Sequence, residues 1–127
     1  MQHDFPFLVG RTVEQIWIWG PIRLVFDLDN EGPEPQLYVD VHEGSQLRDG
    51  STRMNLDVLA QPDEAGAILR LLKRRVANAT AADGVLRLSF ANGAELVSPP
   101  DDQYESWTVV GEGRIFQCLP GGEVDSW

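Results

Sequence analysis

Cysteine, histidine and long apolar runs are scarce in this chain of 127 residues, and each scarcity excludes a class of protein. Cys118 is the single cysteine, so the chain can form no internal disulfide and no thiolate cage for a metal. The histidines are only two, His3 and His42. No apolar run approaches the roughly 18–20 residues that span a bilayer, and the first residues lack the basic and apolar regions of a signal peptide. We therefore expect a cytoplasmic protein that does not bind membranes.

Basic residues are also in the minority, and they are unevenly placed. The chain has 10 Lys and Arg against 20 Asp and Glu, a formal net charge of −10. Four of the ten fall close together, namely Arg70, Lys73, Arg74 and Arg75, so the rest of the chain has six bases and twenty acids, or −14. Such a surface repels nucleic acids and anionic lipids, whose association begins with neutralisation of phosphates. It favours a partner protein with a basic surface.

The most informative feature of the chain is a sequence that returns. Residues 20–26, GPIRLVF, correspond to residues 84–90, GVLRLSF, at an offset of 64. Upstream, residues 9–13 correspond to residues 72–76 at an offset of 63. In both copies a glycine turn precedes alternating apolar and polar residues, which is the pattern of a strand with one buried face.

Downstream of these strands the similarity continues between residues 36–38 and 95–97, at an offset of 59. Two such strand–turn–strand units predict two similar sheet halves, about 9–42 and 72–98, that bury their apolar faces on each other. Since no linker long enough for two independent units separates them, we expect a single, internally duplicated domain over residues 1–127.

One segment predicts a helix. Pro62 suits the first helical position, and the two acids after it suit the positive end of the helix dipole. Apolar residues then recur at the spacing of a buried helical stripe, at Ala65, Ile68, Leu69 and Leu72. Residues 43–53, rich in Gly, Ser and Asp, indicate mostly irregular structure. We predict an α+β fold, mostly antiparallel β, with about seven to nine strands and one connecting helix near 62–73.

Two C-terminal motifs are distinctive. Residues 104–107 read YESW and residues 120–127 read PGGEVDSW. Together with Gly10 and the segment GVLRLSFANG at residues 84–93, they resemble a family of small actinobacterial proteins of unknown function, whose members share YExW and a terminal PGGxxxxW. The resemblance covers nearly the whole chain and implies no activity. In general style, small acidic proteins of this kind also resemble the immunity proteins encoded beside secreted bacterial toxins.

Two acidic segments have the spacing of metal sites, and each also has an ordinary explanation. Residues 27–32, DLDNEG, match the start of a calcium loop, but Tyr38 occupies the position where Glu is expected, which favours a solvated hairpin loop. Asp40 and His42 share one face of a predicted strand and could hold a metal or act as an acid–base pair. Because no nucleophile or oxyanion donor accompanies them, we interpret His42 as an exposed strand histidine. We assign no catalytic residue, metal site or cofactor.

Trp17 and Trp19 face the same side of the first predicted strand, and Ile16 and Ile18 face the other. Paired tryptophans either fill the core between sheets or anchor a partner protein. We expect core packing, and whichever pair is exposed would mark an interface.

Three hypotheses on function follow. The leading one is a non-catalytic protein-binding domain with an acidic surface, in the form of an immunity- or antitoxin-like inhibitor of a bacterial toxin. Its carboxylates would pair with Lys or Arg around a partner's active site and raise the association rate. The residues assigned to partner binding are Asp27, Asp29, Glu31, Glu34, Asp101, Asp102, Glu105, Trp17 and Trp19. The alternatives are a structural homodimer, formed through the tryptophans or an edge strand, and a small metal- or ligand-binding enzyme around His42.

Overall fold

The computed structural model describes residues 1–26 and 36–127, which form two six-stranded antiparallel sheets. Twelve strands lie in the described residues: β1 (Gln2–Asp4), β2 (Val13–Ile18), β3 (Ile22–Phe26), β4 (Tyr38–Val41), β5 (Gln46–Asp49), β6 (Thr52–Asn55), β7 (Val76–Ala82), β8 (Val85–Phe90), β9 (Glu95–Ser98), β10 (Trp107–Gly111), β11 (Arg114–Cys118) and β12 (Val124–Ser126). The mostly antiparallel β fold is thus confirmed, and the predicted strand number was too low. β5 and the start of β6 lie in residues 43–53, where irregular structure was predicted.

Each of the two sheets combines strands from both halves of the chain. The first sheet has the order β12–β11–β10–β4–β3–β2, and the second has the order β1–β7–β8–β9–β5–β6. Each contains three consecutive strands, which we call the first meander (β2–β3–β4) and the second meander (β7–β8–β9). The hairpin β5–β6 follows the first meander in sequence but pairs with β9, whereas β10–β11 follows the second meander but pairs with β4. The two halves of the chain are therefore interlocked.

The segments that precede β2 and β7 pair with each other reciprocally. Four backbone hydrogen bonds of 2.8–3.0 Å join them, from the N–H of Gly10 to Val76, of Val76 to Arg11, of Lys73 to Val13 and of Val13 to Arg74. Both strands also shift register directly after their first residue. These features agree with the offset of 63 between the segments, while superposition of the two halves stays a prediction.

Farther along the meanders the strand ladders define a different offset. Tyr38 lies opposite Val25, and Glu95 lies opposite Ser89, which is 64 residues after Val25. Tyr38 therefore corresponds to Glu95, at an offset of 57 rather than 59. The connection between the second and third strands differs in length between the meanders. The sequence comparison matched residue 36 with residue 95, which is two residues away from the correspondence that the strand ladders define.

One hydrophobic core lies between the inner faces of the sheets. Leu24 and Val39 enter it from the first meander, and Leu88 and Leu96 from the second, all fully buried. Phe5 and Leu8 of the N-terminal segment are fully buried in the same cluster, as are further residues of both sheets. The stability of both sheets thus comes from the same hydrophobic core, since each sheet buries its apolar face on the other.

The predicted helix is wrong in length and in type. α1 covers only Pro62–Ala65, and a 3₁₀ helix continues over Gly66–Leu71. Glycine disfavours the α-helix at this point, and a 3₁₀ helix has three residues per turn. The buried stripe is accordingly Ala65, Ile68 and Leu71, at a spacing of three, while Leu69 and Leu72 are exposed. No helix in the described ranges has the length and apolar character to cross a bilayer.

The residues of the distinctive motifs meet at one structural junction. Trp107 is buried, and its indole Nε1 donates a 2.9 Å hydrogen bond to the carbonyl oxygen of Gly84, in the turn between β7 and β8. Gly84 has a φ of +80°, and a Cβ added there would lie 2.7 Å from the carbonyl oxygen of Gly122. The Cys118 thiol approaches the same Gly84 oxygen at 3.6 Å. The motifs therefore close the second meander against the C-terminal turn, which is a structural role.

Candidate partner-binding face

Trp17 and Trp19 point away from the core, so the expectation of core packing is wrong. Trp19 is 55% exposed, while Ile16 packs against the core from the opposite face of β2. The register shift between Val13 and Gln15 is the reason. A β-bulge changes which face the following residues occupy, so Val13 faces the core and the tryptophans face outward. The interface hypothesis therefore applies to the tryptophans.

Arg23 lies at the centre of this outer face, between Trp17 on β2 and Asp40 on β4. Its Nε lies 2.7 Å from Oδ1 of Asp40 and its Nη2 lies 2.9 Å from Oδ2, a bidentate pair. The guanidinium carbon is 4.0 Å from the ring centroid of Tyr38, 5.2 Å from that of Trp19 and 5.5 Å from that of Trp17. The Arg23 and Asp40 side chains are only 17% and 21% exposed.

These contacts hold three aromatic rings around one cation. Bidentate carboxylate pairing fixes the plane of a guanidinium, and cation–π attraction favours rings placed over it. The indole Nε1 of Trp17 is also held, by a 2.8 Å hydrogen bond to Oε1 of Gln15. We call the surface formed by Trp17, Trp19, Arg23, Tyr38 and Asp40 the aromatic face. Its side chains are restrained by contacts within the protein.

Asp40 and His42 share a face as predicted, but each is committed to a structural contact. Asp40 binds Arg23, as described above. The Gly44 N–H donates to His42 Nδ1 at 2.8 Å, and Nε2 lies 3.0 Å from the carbonyl oxygen of Pro99. Because a backbone N–H can only donate, Nδ1 accepts and Nε2 carries the proton that it donates to Pro99. Both ring nitrogens are therefore occupied.

Two further observations concern the role of His42, one on its packing and one on metal binding. A Cβ on Gly44 would lie 2.4 Å from the His42 Cε1, so glycine is needed for the close approach. Within residues 1–26 and 36–127, no three His, Cys, Asp or Glu side chains group in a way that could hold a metal ion. The calcium-loop segment 27–32 lies outside these ranges. The geometry around His42 favours a structural role over an acid–base role.

A groove adjoins the aromatic face at the turn between β2 and β3. We call it the acidic groove; it has a volume of about 360 Å³ and is lined by Gly20, Pro21, His42, Glu43, Leu59, Asp101 and Tyr104. A smaller cavity of about 200 Å³ shares Pro21 and His42 with it and adds Asp40 and Glu105. Of the residues that the structure describes, no Lys or Arg belongs to either lining. Carboxylates and apolar surface are thus combined in one concave site.

The loop that contributes Asp101 and Tyr104 is held by its own hydrogen bonds. Asp101 Oδ1 accepts from the N–H of Gln103 at 2.7 Å and from the N–H of Tyr104 at 3.1 Å. The Tyr104 side chain is largely exposed, as is that of Leu59 across the groove. The shape of the groove therefore follows from a defined turn.

The structure brings part of the predicted site together. Trp17 and Trp19 lie beside the acidic groove, Asp101 lines it and Glu105 lines the adjoining cavity, whereas Asp102 is exposed and lines neither. Asp27, Asp29, Glu31 and Glu34 lie outside the described residues. Side chains of the site that the sequence analysis did not assign to partner binding include Arg23, Tyr38, Glu43, Leu59 and Tyr104. Arg23 had a detectable signal, since it is a polar residue in the middle of an apolar strand.

Cys118 is unsuited to nucleophilic chemistry. The side chain is fully buried, and this burial raises the pKa of the thiol above its ordinary value of 9.0. The reactive form of cysteine is the thiolate. At neutral pH Cys118 is therefore a neutral thiol packed in the core.

These features define a class of protein, a two-sheet antiparallel β protein with a restrained aromatic face beside an acidic groove. The chain belongs to the family of unknown function DUF6188, whose model matches residues 6–127. This confirms the predicted membership in a family of unknown function. Neither a curated protein nor a solved structure matches the chain.

Proposed function

We propose that this protein is a non-catalytic binding domain that engages a basic protein through the aromatic face and the acidic groove. The observation that carries the proposal is Trp19, which is 55% exposed and held beside a groove whose described lining contains carboxylates and no basic residue. Exposed tryptophans are enriched among residues that dominate binding energy at protein interfaces.

Two physical arguments support this face over other surfaces. Arg23 restrains Trp17, Trp19 and Tyr38, so little side-chain entropy remains to be lost when a partner binds. The carboxylates of the groove attract Lys and Arg and raise the rate of encounter. An inhibitor of the immunity or antitoxin type needs both properties, because it must bind its target quickly and hold it.

Site-specific photocrosslinking tests the proposal. A benzophenone amino acid replaces Trp19 in the full chain, and a matched control carries it at Arg53, an exposed position on β6 in the other sheet. We expect crosslinking from position 19, in cells of the source organism, to one protein with a basic surface, and none from position 53. The double variant E43Q/D101N, combined with the position-19 probe, should weaken that product at least about tenfold. Equal products from both positions, or none, would contradict the proposal.

Self-association is a second candidate function, favoured by β2. This strand is an edge of the first sheet, and Ile18 and Trp19 at its end are exposed. Exposed edge strands readily pair with another chain. Sedimentation velocity at high protein concentration should then show a dimer that the I18K variant abolishes. A monomer at all concentrations would remove this candidate.

We also propose that the two meanders derive from one duplicated unit that exchanged hairpins. The reciprocal hydrogen bonds and the equivalent register shifts support it. A joint superposition of residues 12–19 on residues 75–82 and of residues 21–26 on residues 85–90 tests it. Agreement of the strand backbones is expected, and strands that cannot be superposed together would count against duplication.

A further inference from the structure

Four basic residues lie close together in the sequence, and we call them the basic cluster: Arg70, Lys73, Arg74 and Arg75. None of them lines the acidic groove. The basic cluster lies at the other end of β2, where the segments before β2 and β7 pair. A cavity of about 390 Å³ opens there, lined by Thr12, Lys73, Arg74, Arg75, Ala91 and Asn92. Among residues 1–26 and 36–127, no carboxylate lines this cavity. The four backbone hydrogen bonds between the segments fix the main chain from which its three cationic side chains project.

Two of these cations have no carboxylate partner in the described part of the chain. Lys73 pairs with Glu14, and Arg70, just outside the cavity, pairs with Asp49 at 3.5 Å. Arg74 donates from Nε to the carbonyl oxygen of Arg70 at 3.3 Å, which is a neutral acceptor. Arg74 and Arg75 form no ion pair there, although acids outnumber bases two to one in the sequence. Their charges are available to an external anion.

The neutral groups of the cavity also include hydrogen-bond donors. Asn92 Oδ1 accepts from the N–H of Ala94 at 3.2 Å, which leaves the amide nitrogen of Asn92 to donate elsewhere. Thr12 adds a hydroxyl group. Guanidinium groups form paired hydrogen bonds with phosphate oxygens. We propose that this cavity, the basic cavity, binds the phosphate group of a small molecule.

The charge of the whole protein limits the size of the ligand. Outside the basic cluster the formal charge is −14, which repels an extended polyanion such as a nucleic acid. A compact anion can lie within the cavity, where, in the described part of the chain, three cationic side chains outnumber the Glu14 carboxylate that pairs with Lys73. Inorganic phosphate and a phosphate monoester share this chemistry, and the experiment separates them.

Titration of the ¹⁵N-labelled full chain at constant ionic strength tests the proposal. The probes are inorganic phosphate, ribose 5-phosphate, ribose, acetate and a 20-nucleotide single-stranded DNA. We expect saturable shifts of the amide signals of residues 73–76 and 91–92 with the two phosphates only. Affinity for ribose 5-phosphate at least about tenfold above that for phosphate would identify an ester as the ligand, and equal or weaker affinity would identify phosphate itself.

Matched variants complete the test. R74Q/R75Q should weaken phosphate binding at least about tenfold, while R53Q, which removes an exposed arginine from the other end of the second sheet, should change it less than about twofold. Both substitutions replace exposed side chains, and equal melting temperatures confirm that the variants fold. Non-saturable shifts, the same response to acetate, tighter binding of the DNA, or binding unchanged in R74Q/R75Q would each overturn the proposal.

Discussion

Arg23 in the first meander and Arg87 in the second occupy corresponding positions, at an offset of 64, yet their surroundings differ. Arg23 is 17% exposed, binds Asp40 through two hydrogen bonds and contacts three aromatic rings. Arg87 is 46% exposed and forms a single ion pair with Glu95, at 3.2 Å. The same residue type is thus part of a semi-buried cluster in one sheet and of an ordinary solvated surface in the other.

The strand neighbours explain the difference. Across the ladders, Trp17 and Asp40 flank Arg23, whereas Thr80 and Val97 flank Arg87. The inner faces of the two meanders share one core, and both are apolar because each packs into the same interior. Outer faces have no such constraint. The outer faces therefore differ, and the aromatic cluster on the first meander is the face to which the proposed binding function is assigned.

The largest effect is expected when the turns of the two meanders are compared. Gly84→Ala would strain the backbone at φ +80° and bring Cβ to 2.7 Å from the Gly122 carbonyl oxygen, whereas a Cβ at Gly20 meets nothing within 4 Å. We expect Gly84→Ala to lower the free energy of unfolding by about 3–5 kcal/mol and Gly20→Ala by about 1–2 kcal/mol, the cost of strain alone. Urea denaturation measures the free energy of unfolding of both variants. Equal losses would contradict the close contact between Gly84 and the carbonyl oxygen of Gly122.

The next effect compares the two arginines directly. Arg23→Met leaves Asp40 without its partner and empties the space between three rings, so we expect a loss of about 2–4 kcal/mol. Arg87→Met removes an exposed ion pair and should cost less than about 0.5 kcal/mol. The comparison again uses chemical denaturation. A double variant, Arg23→Met with Asp40→Leu, should recover part of the lost stability, because it removes the unpaired carboxylate as well. If no stability is recovered, the unpaired Asp40 carboxylate is not the cause of the loss.

A smaller effect is expected at His42, which connects the ends of the two meanders. It follows β4, and it donates to Pro99, which follows β9. His42→Phe keeps an aromatic ring but removes both hydrogen bonds of the imidazole, so we expect a loss of about 1–3 kcal/mol in unfolding free energy. Addition of Zn²⁺ should not raise the melting temperature of the wild type. A clear Zn²⁺-dependent rise that His42→Phe abolishes would restore the metal hypothesis.

The smallest effect concerns Cys118, whose thiol contacts the turn of the second meander. Burial raises the pKa of this thiol in the folded state, so the unfolded chain loses its proton first as pH rises above the ordinary value of 9.0. Stability contributed by the neutral thiol is therefore complete below pH 9 and falls above it, by at most about 1.4 kcal/mol per pH unit. Relative to Cys118→Ala, the wild type should lose unfolding free energy as the pH rises above 9. Parallel curves would show that the pKa is not raised.

Much of the fold could be predicted from local pattern. Alternation in residues 22–26 and 85–90 predicted strands with a buried face, and both are present as β3 and β8. The helix near 62–73 failed because the apolar spacing of Ala65, Ile68, Leu69 and Leu72 suits an α-helix, while Gly66 and the following backbone form a 3₁₀ helix. Periodicity shows which residues are apolar, and the number of residues per turn decides which of them meet the core.

Less of the candidate site could be predicted. The outward direction of Trp17 and Trp19 depends on the register shift after Val13, and nothing in the local sequence marks that bulge. The contact of Arg23 with Asp40, seventeen residues away, depends on pairing between β3 and β4. The groove joins the Gly20–Pro21 turn to Tyr104, across more than eighty residues of sequence.

By itself, the amino-acid sequence determined the antiparallel β character, the buried faces of β3 and β8 and the acidic charge, because these follow from residue type and from a period of two along a strand. The tertiary structure decided the exchange of hairpins between the sheets, the outward turn of the tryptophans and the separation of an acidic groove from a basic cavity. Those features depend on strand pairing and register between distant segments, and a shift of one residue moves a side chain to the opposite face.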